Sequence, residues 1–73
     1  MQKINVGNHV EWKWGRGTAE GKVAQKFTSD VERKIKGKVI KRKASAQEPA
    51  FLVSQDDGDR VLKSQSELEK RNG

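Results

Sequence analysis

The sequence predicts an all-β fold: a small closed or half-closed barrel of about five strands, finished by a short C-terminal helical turn. Three observations carry that prediction. Apolar residues alternate with polar ones in short runs, which is the period of a half-buried strand. Glycine or Asp-Gly turns separate those runs at close spacing. Little of the chain shows the 3.6-residue period of a helix.

Residues 1 to 7 lead in, and Asn5-Val6-Gly7-Asn8 is turn-rich. From His9 to Trp14 the chain alternates, with Val10, Trp12 and Trp14 on one face and Glu11 and Lys13 on the other. Gly15-Arg16-Gly17 reads as a tight turn. Thr18 to Thr28 alternates more loosely, with Ala19, Gly21, Val23 and Gln25 on one face. A glycine inside a strand marks a bulge or a sharp bend, and small barrels need such bends to close.

After Ser29-Asp30 comes the basic stretch Val31 to Lys43, VERKIKGKVIKRK, which supports two readings. As a hairpin, Val31, Arg33 and Ile35 alternate with Glu32 and Lys34. Lys36-Gly37-Lys38 then turns, and Val39 to Lys43 returns. As a helix, Val31, Ile35 and Val39 fall at i, i+4 and i+8, and Ser29 with Glu32 forms a capping-box pattern. Gly37 costs a helix about 1 kcal/mol relative to alanine. All four apolar residues are β-branched, which favours a strand.

Ala44 to Pro49 is a polar loop, and Ala50 to Ser54 a short strand with Phe51 and Val53 on one side. Asp56-Asp57-Gly58-Asp59 is a hairpin turn, because Asp-Gly fits the primed turns that join twisted strands. Arg60 to Lys63 returns. Ser64 and Glu67 make a capping-box pattern, so Ser64 or Ser66 is expected to start a final helical turn. Leu68 should fold back onto the core, with a frayed tail after it, from Lys70 or Arg71 to Gly73.

Seventy-three residues make one small domain, with its core expected over about residues 6–70. A chain of this length buries roughly 60% of its unfolded surface. Charged residues outnumber apolar ones, 36% against 32%, so the domain must be marginally stable. The charge is not spread evenly. Val31 to Lys43 holds seven Lys or Arg and one acid, a formal +6, and the whole chain is also +6. Such a patch is the footprint of a surface that meets phosphates or other polyanions. With no cysteine there is no disulfide or thiolate metal site, which suits a reducing cytoplasm. No signal peptide or membrane span is visible, and a cytoplasmic protein with no membrane partner is expected.

Several of these segments together resemble a known family. Val6-Gly7-Asn8-His9-Val10, then Trp12 to Gly21 (WKWGRGTAEG), Ile35-Lys36-Gly37-Lys38, Pro49-Ala50-Phe51, and Val61-Leu62-Lys63 with Ser66-Glu67-Leu68 look like the hypervirulence-associated Tudor-like domain family. These are small proteins of bacteria and fungi. The resemblance covers roughly Val6 to Lys70 and implies a Tudor-like (Src-homology-3-like) barrel in which the basic stretch is an extended hairpin. It implies no molecular activity. At the aromatic after Pro49-Ala50, where the family often has Tyr, this chain has Phe51, and it contains no Tyr.

The candidate chemistry is binding. His9 is the sole histidine, at the start of a strand, and no serine is placed for a nucleophile–base–acid triad, so no enzyme is expected. Asp56, Asp57 and Asp59 lack the longer acidic loop and closing Glu of a calcium site, and no metal or other cofactor is implied. A methyl-lysine cage needs three or four converging rings, whereas Trp12, Trp14, Phe27 and Phe51 are all the aromatics there are. A full cage would empty the core. The basic stretch is either a solvated hairpin whose lysines guard its edges, or a surface for RNA or DNA backbone. In the second reading Arg33, Lys34, Lys36, Lys38, Lys41, Arg42 and Lys43 follow phosphates, and Trp14 and Arg16 add base stacking if they lie alongside. Lysines outnumber arginines there, so little sequence preference is expected. The alternative is a protein-interaction module that takes an acidic or extended peptide with the same lysines.

Overall fold

Strand β1 (His9–Trp14) turns at Gly15 and Arg16 into β2 (Gly17–Phe27), the longest element of the computed structural model, which describes residues 3–71. β3 (Val31–Ile35) and β4 (Lys38–Arg42) follow as a hairpin, then β5 (Ala50–Ser54) and β6 (Arg60–Ser64) as another. A 3-10 turn at Gln65–Glu67 leads to the two-residue β7 (Glu69–Lys70).

Five strands form one antiparallel sheet in the order β6-β5-β2-β1-β7, and β3–β4 is a separate two-stranded ribbon. The expected all-β architecture and terminal helical turn are present, but the ring of hydrogen bonds is not closed. β6 ends the sheet, and the ribbon lies against it through side chains instead of pairing with it.

β2 holds the sheet together by serving two partners. Gly17 to Lys22 pair with β1, and Lys22 to Phe27 pair with β5. The register shifts between Val23 and Gln25, so Ala24 is the extra residue of a bulge, three positions beyond the glycine that hinted at one. Gly21 has a different role. A Cβ there would lie 2.6 Å from the Ser54 carbonyl oxygen and 2.7 Å from Val53 Cγ1, so β2 crosses β5 where no side chain fits.

The basic stretch is a hairpin. Lys36 and Gly37 have φ of 51° and 79°, and positive values at both central residues define the tight primed turn. The turn is one residue shorter than the sequence suggests, so Lys38 opens β4 and Lys43 falls outside it. The helical spacing of Val31, Ile35 and Val39 is incidental, since Val31 is buried while Val39 is 56% exposed.

Two apolar clusters lie on opposite faces of β5 and β6. Ile4, Val10, Trp12, Val23, Phe51, Val53 and Leu68 form the main core. Val31, Ala50 and Leu62 form the second, with Phe27, Ile35, Ile40 and Ala44 against them. Residues 50 to 53 are all buried, because the main core covers one face of β5 and the ribbon covers the other. Burying Phe51 completely contributes about 1.5–3 kcal/mol.

Both ends of the chain are more engaged than the sequence indicates. Ile4, ahead of the expected core, is 1% exposed. Lys70 pairs with Val10 in β7, and Arg71 donates its backbone N–H to the His9 carbonyl at 2.8 Å. The Arg71 guanidinium meets the Glu20 carboxylate. The rest of the expected frayed tail, residues 72 and 73, lies outside the described residues. Among the described residues no helix is long and apolar enough to cross a membrane.

Candidate nucleic-acid interface

The ribbon's register divides its cations. Val31 faces Arg42, Arg33 faces Ile40 and Ile35 faces Lys38, so these six share the side that packs toward β6. Glu32 with Lys41, and Lys34 with Val39, share the outer side. Lys36 sits in the turn and Lys43 follows β4. The sequence lines these residues along one arm. The pleat sends Arg33, Lys38 and Arg42 one way and Lys34 and Lys41 the other.

Several of these cations already have partners. The Arg33 guanidinium lies 4.7 Å from the centre of the Phe27 ring and donates to the Glu32 carbonyl at 2.8 Å. Arg42 donates to the Lys41 carbonyl at 3.0 Å, and its Nε lies 3.3 Å from Glu67 Oε1. Lys41 Nζ is 3.4 Å from Glu32 Oε1. Lys36 Nζ is 2.7 Å from Asp59 Oδ2, and that hydrogen bond and charge hold the ammonium above its ordinary pKa. Among the described residues, Lys34, Lys38 and Lys43 make no ion pair.

The fold adds cations that the sequence reading missed. An open groove runs between β4 and β6, with Ile35, Ile40, Val61 and Leu62 as its apolar lining residues. Lys36, Lys38 and Arg42 line it from the ribbon, and Arg60 and Lys63 from β6, with Asp59 the single acid. In the sequence Arg60 and Lys63 follow a run of aspartates and carry no excess charge. Only the packing of the ribbon against β6 brings them to the patch.

Glu67 anchors one end of this arrangement. It accepts the Ser64 N–H at 2.9 Å, as the capping-box pattern predicts, and stands 3.7 Å from Lys63 Nζ as well as close to Arg42. Burial pushes its carboxyl up, but the Ser64 bond, Arg42 and Lys63 outweigh that and hold it below the usual range. At the other end Asp59 donates its N–H to Asp57 Oδ1, and Gly58 takes φ 90°, so the acidic cluster is a hairpin turn. Among the described residues no three His, Cys, Asp or Glu side chains are grouped to hold a metal ion.

The aromatics do not converge. Trp12 and Phe51 are core, Phe27 lies under Arg33, and Trp14 is 67% exposed. Trp14 and Arg16 stand at the β1–β2 turn, and neither lines the β4–β6 groove. β1 is next to the β7 edge of the sheet, whereas the ribbon packs at the β6 edge. Trp14 and Arg16 therefore do not lie alongside the groove cations, the condition on which their base stacking depended.

The family model for the Tudor domain of hypervirulence-associated proteins matches residues 7–68. Among curated proteins and solved structures, none matches the chain. The matched span begins just ahead of β1, crosses all three hairpins and ends at Leu68 in the core. The chain belongs to the Tudor domain family of hypervirulence-associated proteins.

Proposed function

We propose that this protein is a small non-catalytic module that holds RNA or DNA by its phosphate backbone, with little sequence preference. One observation carries the reading: five cations from two separate elements line one groove, against Asp59 in its lining and Glu67 beside Arg42 and Lys63. Neutralising several phosphates at one place releases counterions, which is the dominant source of such affinity. Lys36, Lys38 and Lys63 offer point charges that do not discriminate between bases. We assign the protein to the cytoplasm, a reducing compartment with which a chain free of cysteine is compatible.

Docking of an extended peptide strand has less support. In a hairpin with a two-residue turn, Glu32 and Lys41 point their carbonyls outward, and here Arg33 and Arg42 occupy them. On β6, Leu62 is 2% exposed beneath the ribbon, so its backbone offers no edge. One outward carbonyl on each edge of the ribbon is thus taken by the chain's own arginine.

The test is fluorescence anisotropy of labelled RNA and DNA titrated with protein at several salt concentrations. Micromolar binding with a steep negative salt slope is expected. Changing Lys36, Lys38, Lys41 and Arg42 to Gln should abolish it in a protein that still folds. Undiminished binding by that variant would refute the reading.

A further inference from the structure

Resting on that reading, we infer that the β4–β6 groove takes a single unpaired nucleic-acid strand in preference to a duplex. The walls of the groove are cationic on both sides, from Lys38 and Arg42 on β4 and from Arg60 and Lys63 on β6. Between them the apolar surface comes from the half-buried Ile35, Ile40 and Val61, with Leu62 buried beneath the ribbon. This order of charge, apolar surface and charge matches one strand, whose phosphates are anionic and whose base faces are apolar. A duplex hides its base faces in the stack and presents phosphates on a convex surface, so it meets the outer cations only.

The geometry of the ribbon points the same way. The β3–β4 turn is latched to the β5–β6 turn by Lys36 and Asp59, and the far end of β4 is held to Glu67 by Arg42. The second apolar cluster seats the ribbon over β6, and these exposed ion pairs add little to its hold, which leaves a trough between the two. A flat basic face, as duplex binding requires, is not formed, because Lys34 and Lys41 lie on the opposite side of the ribbon from Lys38 and Arg42. Lys41 is also paired to Glu32. The stacking aromatic usual at single-strand sites is missing from the trough, so base contact there is aliphatic and indifferent to base identity.

The experiment compares three probes of about 12 nucleotides on the full chain: a labelled single strand, the same strand in duplex, and an abasic strand of equal length. The single strand is expected to bind at least several-fold more tightly than either of the others. Changing Arg60 and Lys63 to Gln, both outside the basic stretch, should flatten the single-strand salt slope by about 1.4, two contacts at about 0.7 each. Changing Lys34 and Lys43 to Gln should leave the preference for the single strand intact. A duplex that binds as well as the single strand overturns the inference while leaving backbone binding standing, as does an abasic strand that binds equally. Failure of all three probes at low salt, or preferential binding of polyglutamate, overturns the proposed function itself.

Discussion

Lys36 and Asp59 stand 23 residues apart in the chain, yet the lysine ammonium lies 2.7 Å from Asp59 Oδ2. The pair links the β3–β4 turn to the β5–β6 turn. Lys36 is also the one described non-glycine residue with positive φ, a conformation held by the turn around it. In the free protein Asp59 occupies a cation that a phosphate would otherwise meet. Asp59→Asn is therefore expected to tighten nucleic-acid binding and to steepen the single-strand salt slope by about 0.7. Titration of both proteins at several salt concentrations checks this.

Gly21→Ala should be among the most damaging small substitutions in the chain. Its Cβ would press on the Ser54 carbonyl, a backbone atom that cannot move aside without displacing β5. Overpacking of this kind costs about 1–3 kcal/mol, a large share of the roughly 4–11 kcal/mol expected for a domain of this size. Urea unfolding should show it as a lower midpoint. Gly17→Ala, with open space at its Cβ and no positive φ, should shift the midpoint far less.

Leu62→Ala tests whether the ribbon is held by the second apolar cluster. Leu62 packs with Val31 and Ala50 beneath Ile35 and Ile40, and the substitution should cost about 2–5 kcal/mol. Val39→Thr, on the exposed outer side of the same ribbon, should stay within about 0.5 kcal/mol. Thermal unfolding of the two variants distinguishes the faces.

The protein should lose stability in acid through Glu67. Its folded carboxyl titrates below its ordinary value, because Ser64, Arg42 and Lys63 outweigh its burial. The contribution is therefore fully present above the unfolded carboxylate pKa and is lost as pH falls through the lower folded value. The side chain is 38% exposed, so solvent screening keeps the effect modest. Glu67→Gln should lower the melting temperature at neutral pH and flatten its fall below about pH 5.

Trp14→Ala should leave both stability and groove affinity unchanged. The ring is 67% exposed at the β1–β2 turn and does not line the groove. Iodide quenching should find one accessible and one protected tryptophan, Trp14 and Trp12, and nucleic acid should not protect Trp14.

Much of this protein was legible in one dimension because the signals are local. Alternation at Val10 and Trp12, Asp-Gly in the β5–β6 turn, and Ser64 with Glu67 each act within a few residues, and each forms as read. Family resemblance decided between hairpin and helix for residues 31–43, where periodicity could not. Composition along the chain located the charge.

The tertiary structure decided what that charge faces. Strand pairing alternates side chains between two faces, so seven adjacent cations cannot act as one row, and the register alone fixes which of them share a side. Burial on both faces of β5 follows from the ribbon folding back over β6, a contact between segments some twenty residues apart that leaves no local mark. The same contact brings Arg60 and Lys63 to Lys38 and Arg42 and leaves Trp14 outside. The sequence by itself determined the strands, the turns and the net charge, because these depend on neighbours along the chain. The groove depends on neighbours in space, and only the fold supplies those.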